Sequence, residues 1–408
     1  MIRRPRAILA LLTGLNLLNY LDRLVVSAVL PKIQEDLGLS NFMGGLLATV
    51  FLVGYFVTAP VFGWLGDRMQ RKWLIAVGVV VWSAATCASG LATSAGTLIV
   101  ARAFVGIGEA SYATLAPTII DDITPPQHKG RALAYFYAAT PVGAALGYLV
   151  GGFVEARWGW RAAFWVAGGP GLAFALVCLL IAEPARKLSS AKAPWLRDIG
   201  TLIKTDLYRK GVLGYCAYTA AIGAFSYWAP KFLYARYALP LATANYRFGL
   251  VTVIAGGVAT GIGGKLSDRM RLKTEKQSDP SVVERDTVRG NLRICALGSL
   301  FGAPLALAAF LSPSSNLFFV FVFFAILALF LSTAPINAVV LRAVPEELRA
   351  SAMACSIFAI HIFGDLWSPP LVGLLADYAP IQLAMSTLPA CIALSAWLWW
   401  SPKAEISR

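Results

Sequence analysis

Twelve apolar stretches punctuate the chain. They lie near residues 7–30, 43–65, 73–93, 97–120, 131–154 and 161–182, and again near 211–235, 246–267, 291–312, 316–341, 350–376 and 381–400. Each is long enough to cross about 30 Å of hydrocarbon as a helix, and polar residues gather in the connections between them. The pattern predicts an all-α membrane protein of twelve transmembrane helices, least cleanly divided across 350–400. Four ionisable residues break it: Asp22 and Arg23 in the first stretch, Arg102 and Glu109 in the fourth. Each such charge costs roughly 2.5–3.5 kcal/mol on insertion scales, so residues of this kind normally face one another or a watery cavity.

Composition agrees with the pattern. Only 14% of residues are charged and 58% are hydrophobic, whereas a soluble domain carries about 25% charged residues. Of the 35 lysines and arginines, 27 fall on one side: the N-terminus, the loops at 66–72, 121–131, 265–293 and 342–349, the 183–210 linker and the C-terminus. By the positive-inside rule both termini are cytoplasmic, and the plasma (inner) membrane is the expected location. The net charge of +14 is largely this asymmetry. It is scattered over short loops rather than gathered in a patch, so no nucleic-acid partner is expected. Residues 1–6 lead into the first apolar run as a signal peptide does. That run carries Asp22 and Arg23, and no small-residue cleavage site follows, so it reads as a retained helix.

The chain also repeats itself. Gly63-Trp-Leu-Gly-Asp67-Arg68 follows the second stretch, and Gly264-Lys-Leu-Ser-Asp268-Arg269 follows the eighth, 201 residues later. Pro125-Pro-Gln-His-Lys-Gly-Arg131 after the fourth is echoed by Pro345-Glu-Glu-Leu-Arg349 after the tenth. The expected organisation is a six-helix bundle over 1–185, a cytoplasmic linker over 186–210 and a second bundle over 211–408. Such halves suggest transport by rocking about a central site. Residues 195–205 of the linker read either as a short interfacial amphipathic helix or as a solvated tether.

Gly63-Trp-Leu-Gly-Asp-Arg-Met-Gln-Arg-Lys72 resembles the loop signature of the major facilitator superfamily. With the twelve stretches and the second copy, that resemblance covers the whole chain. Within the superfamily, Asn19-Tyr-Leu-Asp-Arg23 and Arg102-Ala-Phe-Val-Gly-Ile-Gly-Glu-Ala-Ser-Tyr112 resemble the spinster family of lipid transporters. The Asn-Tyr-x-Asp-Arg opening is shared with the organic anion:cation symporters; the Gly-Glu-Ala-Ser-Tyr stretch favours spinster. The resemblance implies alternating access, a cytoplasmic latch built from the loop motif, and an amphipathic lipid substrate such as a lysophospholipid or a sphingoid phosphate. Asn19 and Tyr112, within the matching motifs, join the candidates for substrate contact.

The residues support this physically. Gly63 and Gly66 permit a tight helix exit. Asp67 is placed to accept hydrogen bonds at a neighbouring helix N-terminus, and Arg68 to reach Asp122 or Asp121. Arg71, Asp268 and Arg269 complete the gate candidates; the bland alternative is solvated loop charge. Ala139, Gly143, Gly147 and Gly151 make a small-residue stripe for close packing, with Gly257 and Gly261 as counterparts. Arg102 and Glu109, seven apart, lie about 20° from eclipsed on a helix. Asn16, Asn19 and Arg23 make a polar stripe on the first. An acid in a poorly hydrated cavity holds its proton more tightly, and a nearby arginine loosens it. Glu109 and Asp22 are therefore the proton-carrying candidates, and Arg102 and Arg23 the substrate-anion or counter-ion groups; a static ion-pair network is the alternative.

The second half is less informative. His361 and Asp365, four apart, could face one another, with His361 a further candidate for substrate contact. Tyr215, Tyr218, Tyr227 and Trp228 could line an acyl-chain cavity or simply pack. Lys231, Asn337 and Arg342 read as helix-end groups. All six cysteines sit in apolar stretches without metal-ligand spacing, there are two histidines, and a Walker-type phosphate loop is absent. No catalytic residue, metal or cofactor is expected, and a monomer is. The function expected is proton-coupled transport of an anionic lipid. The alternatives are a proton symporter of small organic anions or sugar acids, and a non-transporting receptor or scaffold.

Overall fold

The computed structural model describes residues 2, 4–125, 128–182, 195–274, 280–345 and 348–400. They are almost entirely helical; the one β pairing among them is an isolated bridge between Ile2 and Ile181. The first helices are α1 (Pro5–Leu37), α2 (Asn41–Gly66), α3 (Arg71–Ser89), α4 (Ala95–Ile123) and α5 (Lys129–Cys178). Local chemistry marks several of their ends. Pro5 opens α1 and Gly38 closes it in the left-handed region at φ 63°, Ser40 accepts from the Met43 N–H at the start of α2, and Ser94 with Thr97 forms a capping box on α4. A straight 50-residue helix would run about 75 Å, more than twice the hydrocarbon thickness. Gly159 breaks α5 at φ 80°, ψ 168°, and the two legs correspond to the expected spans at 131–154 and 161–182.

The remaining elements are α6 (Trp195–Lys204), α7 (Asp206–Tyr237), α8 (Leu241–Thr274), α9 (Pro280–Leu311), α10 (Ser315–Phe330), α11 (Thr333–Arg342), α12 (Arg349–Ile360), α13 (Ser368–Tyr378), α14 (Ile381–Met385) and α15 (Leu388–Trp399). A π-helical turn, His361–Asp365, joins α12 to α13. Ten helical runs among the described residues are long and apolar enough to cross a membrane. Counting the two legs of α5 separately and adding α7 gives the twelve expected spans.

The chain divides into two compact units. One comprises Met1–Ala191, Tyr227–Leu250 and Pro369–Asp377; the other comprises Lys192–Ser226, Val251–Ser368 and Tyr378–Arg408. In the first, the expected small-residue stripe packs α5 on α1: a Cβ at Gly143 or Gly147 would stand 2.4 or 2.7 Å from the carbonyl oxygens of Leu17 and Leu21. A closer approach joins α2 to α4, where a Cβ at Gly106 would meet the Phe51 carbonyl oxygen at 2.0 Å. In the second unit the stripe expectation needs correcting. Gly257 and Gly261 have nothing within 4 Å, and the tight contacts fall on Gly256, against Phe330, and Gly263, against the Leu331 carbonyl. That face lies about 100° around α8 from the expected one. The helical part of the linker is docked rather than loose: Leu202 is buried with Tyr208, Val340, Val344 and Ala352. Residues 183–194 of the linker lie outside the described residues.

Candidate functional site

The four charges inside the first unit meet in crossed pairs. Arg23 Nη2 on α1 donates to Glu109 Oε2 on α4 at 2.7 Å, and Arg102 Nη1 on α4 stands 3.9 Å from Asp22 Oδ1 on α1. Pairing cancels net charge inside the membrane, the arrangement that intramembrane ions require. The pairs differ in kind. The first is a charge-assisted hydrogen bond; the second is too long for one and acts through Coulomb attraction, about 4 kcal/mol at an effective dielectric of about 20. Asp22, Arg102 and Glu109 are at most 2% exposed, whereas 23% of the Arg23 side chain is accessible.

Aromatic rings complete the enclosure. Both guanidinium groups lie over Phe51 of α2, at 4.8 Å for Arg23 and 5.1 Å for Arg102, and Arg23 also lies 4.9 Å from the Tyr20 ring and 5.9 Å from Tyr55. Desolvated cation–π contacts of this sort contribute about 2 kcal/mol. The other oxygen of Asp22 accepts from Thr86 Oγ1 on α3 at 2.5 Å. Asp22 Oδ1, Glu109 Oε1, Arg23 Nε, and Arg102 Nε and Nη1 have no hydrogen-bond partner among the described residues. Each acid thus keeps one oxygen able to take a proton without surrendering an existing hydrogen bond.

The expected polar stripe of α1 splits. Asn16 Nδ2 donates to the Phe136 carbonyl of α5 at 3.0 Å, because its short amide reaches only the helix packed directly beside it. The longer Arg23 spans to α4. Asn19, 2% exposed, leaves its Nδ2 without a hydrogen bond among the described residues. Tyr112 is not brought to the quartet's polar contacts: its hydroxyl donates to the Leu12 carbonyl and its ring packs edge-on to Trp82. It is a buried strut joining α1, α3 and α4.

At the end of the bundle where α2 leaves and α3 begins, the gate motif differs in detail from expectation. Arg71, not Arg68, reaches α4: its Nη2 donates to Asp122 Oδ2 at 2.5 Å and its Nη1 to Thr118 at 2.8 Å. Arg68 folds back on its own helix, donating to the Trp64 carbonyl at 3.0 Å and lying 4.2 Å from that ring. Asp121 pairs with Lys129 at 2.6 Å. Gly66 sits against Leu115, while Gly63 has only a loose contact with Thr114. Asp67 is exposed and its carboxylate has no partner among the described residues; its backbone N–H bonds back to Gly63. The second copy, Asp268 and Arg269, is exposed and lies within α8 rather than beyond it. In that unit Glu284, unremarked in the sequence, lies 3.6 Å from Arg342 and 3.5 Å from Arg349.

His361 and Asp365 do meet. The π turn aligns them, with Nδ1 at 2.9 and 3.0 Å from the two carboxylate oxygens. Gly223 makes room on α7, where an added Cβ would stand 2.5 Å from Asp365 Cβ. The α7 aromatics are engaged in packing: Tyr218, Tyr227 and Trp228 donate to the carbonyls of Leu329, Gly44 and Pro369 respectively. Lys231 is more than a helix-end group. It donates to Gln34 at 2.5 Å and to Asn41. Asp377 accepts from the Asn41 and Phe42 N–H groups at 2.7 and 2.9 Å, capping α2.

Residues 12–277 match the family profile of the Major Facilitator Superfamily, and residues 313–382 match that of the Organic Anion Transporter Polypeptide (OATP) family. The chain is 35% identical to "Protein spinster" of Drosophila melanogaster across 89% of its own length and 60% of that protein's. It is 32% identical to the "Probable sphingolipid transporter spinster homolog 2" of Arabidopsis thaliana, covering 97% and 86% respectively. The fold matches a crystal structure of a bacterial homologue of the human lysosomal transporter spinster, in an inward-facing and occupied conformation. The TM-score is 0.82 at 22% identity, covering 98% of this chain and 100% of that one.

Proposed function

The chain belongs to the major facilitator superfamily and, within it, to the spinster family, and from that premise we propose proton-coupled transport of an amphipathic anionic lipid. A lysophospholipid or sphingoid phosphate is the substrate class, in keeping with the sphingolipid named for the Arabidopsis relative. The observation that carries the reading is the crossed quartet of Asp22, Arg23, Arg102 and Glu109. Arginine's permanent charge suits it to alternate between a carboxylate and a substrate anion. When a lipid phosphate draws Arg23 away, Glu109 loses its counter-charge and binds a proton; when Arg23 returns, the proton leaves. Proton and substrate occupancy are then linked, which is the requirement for coupling.

Transport proceeds by alternating access, with termini and basic loops on the cytoplasmic side. The Arg71–Asp122–Thr118 contact braces the cytoplasmic end of the first bundle. Lys231, Gln34, Asn41 and Asp377 knit α1, α2, α7 and α13 together at the opposite end. His361, held by Asp365, is a second polar group available to the substrate. The OATP-profile match at 313–382 favours, as a second reading, a small organic anion or sugar acid handled by the same charges.

Proteoliposomes test both. Uptake of a labelled lysophospholipid and of a labelled sugar acid is measured with and without a pH gradient, for the native chain and for Glu109→Gln. The expected result is gradient-driven lipid accumulation that Glu109→Gln abolishes while downhill exchange persists. Full accumulation by the variant would show that Glu109 is not the proton carrier, and sugar-acid uptake alone would select the second reading.

A further inference from the structure

Apart from the quartet, a groove of about 740 Å³ lies between α5 and α8, lined by Leu149, Val150, Phe153 and Trp158 on one side and Thr243 and Tyr246 on the other. Lys129, at the start of α5, pairs with Asp121; Arg157 stands 28 residues on, about 40 Å along the helix and so at the opposite membrane face. Phe153, Trp158 and Tyr246 are each more than half exposed, so the groove opens onto the membrane. Its floor is closed. A Cβ at Gly152 would stand 2.9 Å from the Asn245 side chain, Asn245 is fully buried and donates to the Ala28 carbonyl at 2.9 Å, and the buried rings of Tyr148 and Phe248 pack edge to face with centroids 5.3 Å apart. We propose that the groove binds an anionic phospholipid of that leaflet, with the phosphate on Arg157 and one acyl chain along α5, held as a resident and not transported. The proposal goes beyond the transport reading and does not depend on it.

The dimensions fit one leaflet. From Arg157 to Leu149 the helix runs about 12 Å, against about 15 Å for half the hydrocarbon core. Trp158 and Tyr246 at the mouth are residue types that settle at the headgroup level. The Arg157 guanidinium is exposed, lies 3.8 Å over the Phe153 ring and has no carboxylate paired to it among the described residues. Stacking occupies the face of the guanidinium and leaves its N–H edge for a phosphate. Neighbouring charges are committed elsewhere. Glu155, about 200° around the helix from Arg157, faces Lys32 and Glu35 of α1, and Arg161 donates to Asp36 and to the Ala92 carbonyl. Arg157 is thus the cation presented at the rim of the groove. Lipid tails are as apolar as its walls, so chain burial gives little preference among lipids and the headgroup decides. One arginine at the membrane surface favours an anionic lipid by about fivefold. The closed floor is the reason for a resident: a chain seated there meets the α5–α8 contact and not the quartet.

Trp158 is a built-in reporter. The full-length chain is reconstituted in phosphatidylcholine vesicles containing a small fraction of chain-brominated phosphatidylglycerol or chain-brominated phosphatidylcholine, and bromine quenching of tryptophan fluorescence is measured. Subtracting the signal of Trp158→Phe isolates this residue from the other tryptophans among the twelve. At equal mole fraction, brominated phosphatidylglycerol is expected to occupy the site about fivefold more strongly than brominated phosphatidylcholine. Arg157→Gln, a change at an exposed position, should bring that ratio to about one, while Arg161→Gln, at the same end but paired to Asp36, should leave it intact. Thr243→Phe fills the groove and should weaken quenching by both lipids. Equal quenching by the two lipids in the native chain, a preference that survives Arg157→Gln, or one lost equally in Arg161→Gln overturns the proposal. Unlabelled lysophosphatidate that relieves the quenching at lower mole fraction than unlabelled phosphatidylglycerol would make the groove a station for a single-chain substrate and overturn the resident assignment.

Discussion

The approach of α2 to α4 sets the whole site, and Gly106 is where it can be perturbed. A Cβ there would stand 2.0 Å from the Phe51 carbonyl oxygen, 2.9 Å from its carbonyl carbon and 3.0 Å from the Tyr55 nitrogen. Carbon and oxygen ordinarily approach to about 3.4 Å, and the obstructing atoms are backbone, which cannot rotate aside. Gly106→Ala must therefore separate the two helices by more than about 1 Å. Phe51 moves with α2, away from two guanidinium groups now 4.8 and 5.1 Å from its ring centre. Overpacking of this kind costs about 1–3 kcal/mol, partly offset by the better helix propensity of alanine, about 1 kcal/mol.

Gly257→Ala is the matched control, since nothing lies within 4 Å of its added methyl and only the propensity gain applies. Thermal unfolding of the two purified variants is compared, with gradient-driven uptake measured in parallel. Gly106→Ala is expected to melt about 1–4 °C below Gly257→Ala and to lose most coupled uptake, while Gly257→Ala matches or exceeds the native chain. Equal melting temperatures, with uptake intact in both, would refute the reasoning that glycine at 106 is required by backbone contact.

Three further outcomes are expected. Arg102→Met leaves Asp22 buried without its counter-charge and should destabilise by about 3–5 kcal/mol; adding Asp22→Asn should recover much of that, and additive losses in the melting cycle would show that the pair does not interact. Arg71→Ala removes two hydrogen bonds to α4 and should lower the melting temperature and transport rate, whereas Arg68→Ala, touching only its own helix, should change stability by no more than about 0.5 kcal/mol; the reverse ranking would restore Arg68 as the latch. Asp377→Ala removes the carboxylate that accepts the first two N–H groups of α2, leaving the Ser40 cap in place, and should cost about 1 kcal/mol in denaturant or thermal melts, with Asp377→Asn intermediate because one acceptor remains.

The span count was legible because bilayer thickness imposes a length that apolar runs must meet, and four charges within such runs could not be ignored. Their pairing was less accessible. Spacing along one helix says which residues share a face, as for Arg102 and Glu109, but not which neighbouring helix that face meets. The gate shows the same limit: Arg68 adjoins Asp67 in sequence, yet Arg71, opening α3 after the turn at 67–70, is the residue aimed at Asp122. The π turn at His361–Asp365 adds a residue to the helical repeat and leaves no trace in hydropathy. Thr86 and Lys231 have apolar residues on either side in α3 and α7, a setting common enough to carry no signal until α1 is seen beside them. On α8 the glycine pattern was present, but neighbouring glycines offered two faces and the contacts use the other one.

Accessibility separates the two pairs of the quartet, and on the proposed reading it is the Arg23–Glu109 pair that moves. Arg102 and Asp22 have almost no exposed surface, whereas nearly a quarter of the Arg23 side chain is accessible and Glu109 has none. Among the described residues, Arg23 is the hydrogen-bond partner of Glu109, so the proposed proton gains access when Arg23 moves. That movement does not strand the guanidinium, because Phe51, Tyr20 and Tyr55 surround it and stabilise a cation by about as much as one charge-assisted hydrogen bond. An incoming phosphate thus exchanges one anionic partner of Arg23 for another of similar strength. A transporter needs this near-balance, since a site that held either partner far more tightly would stop in one state.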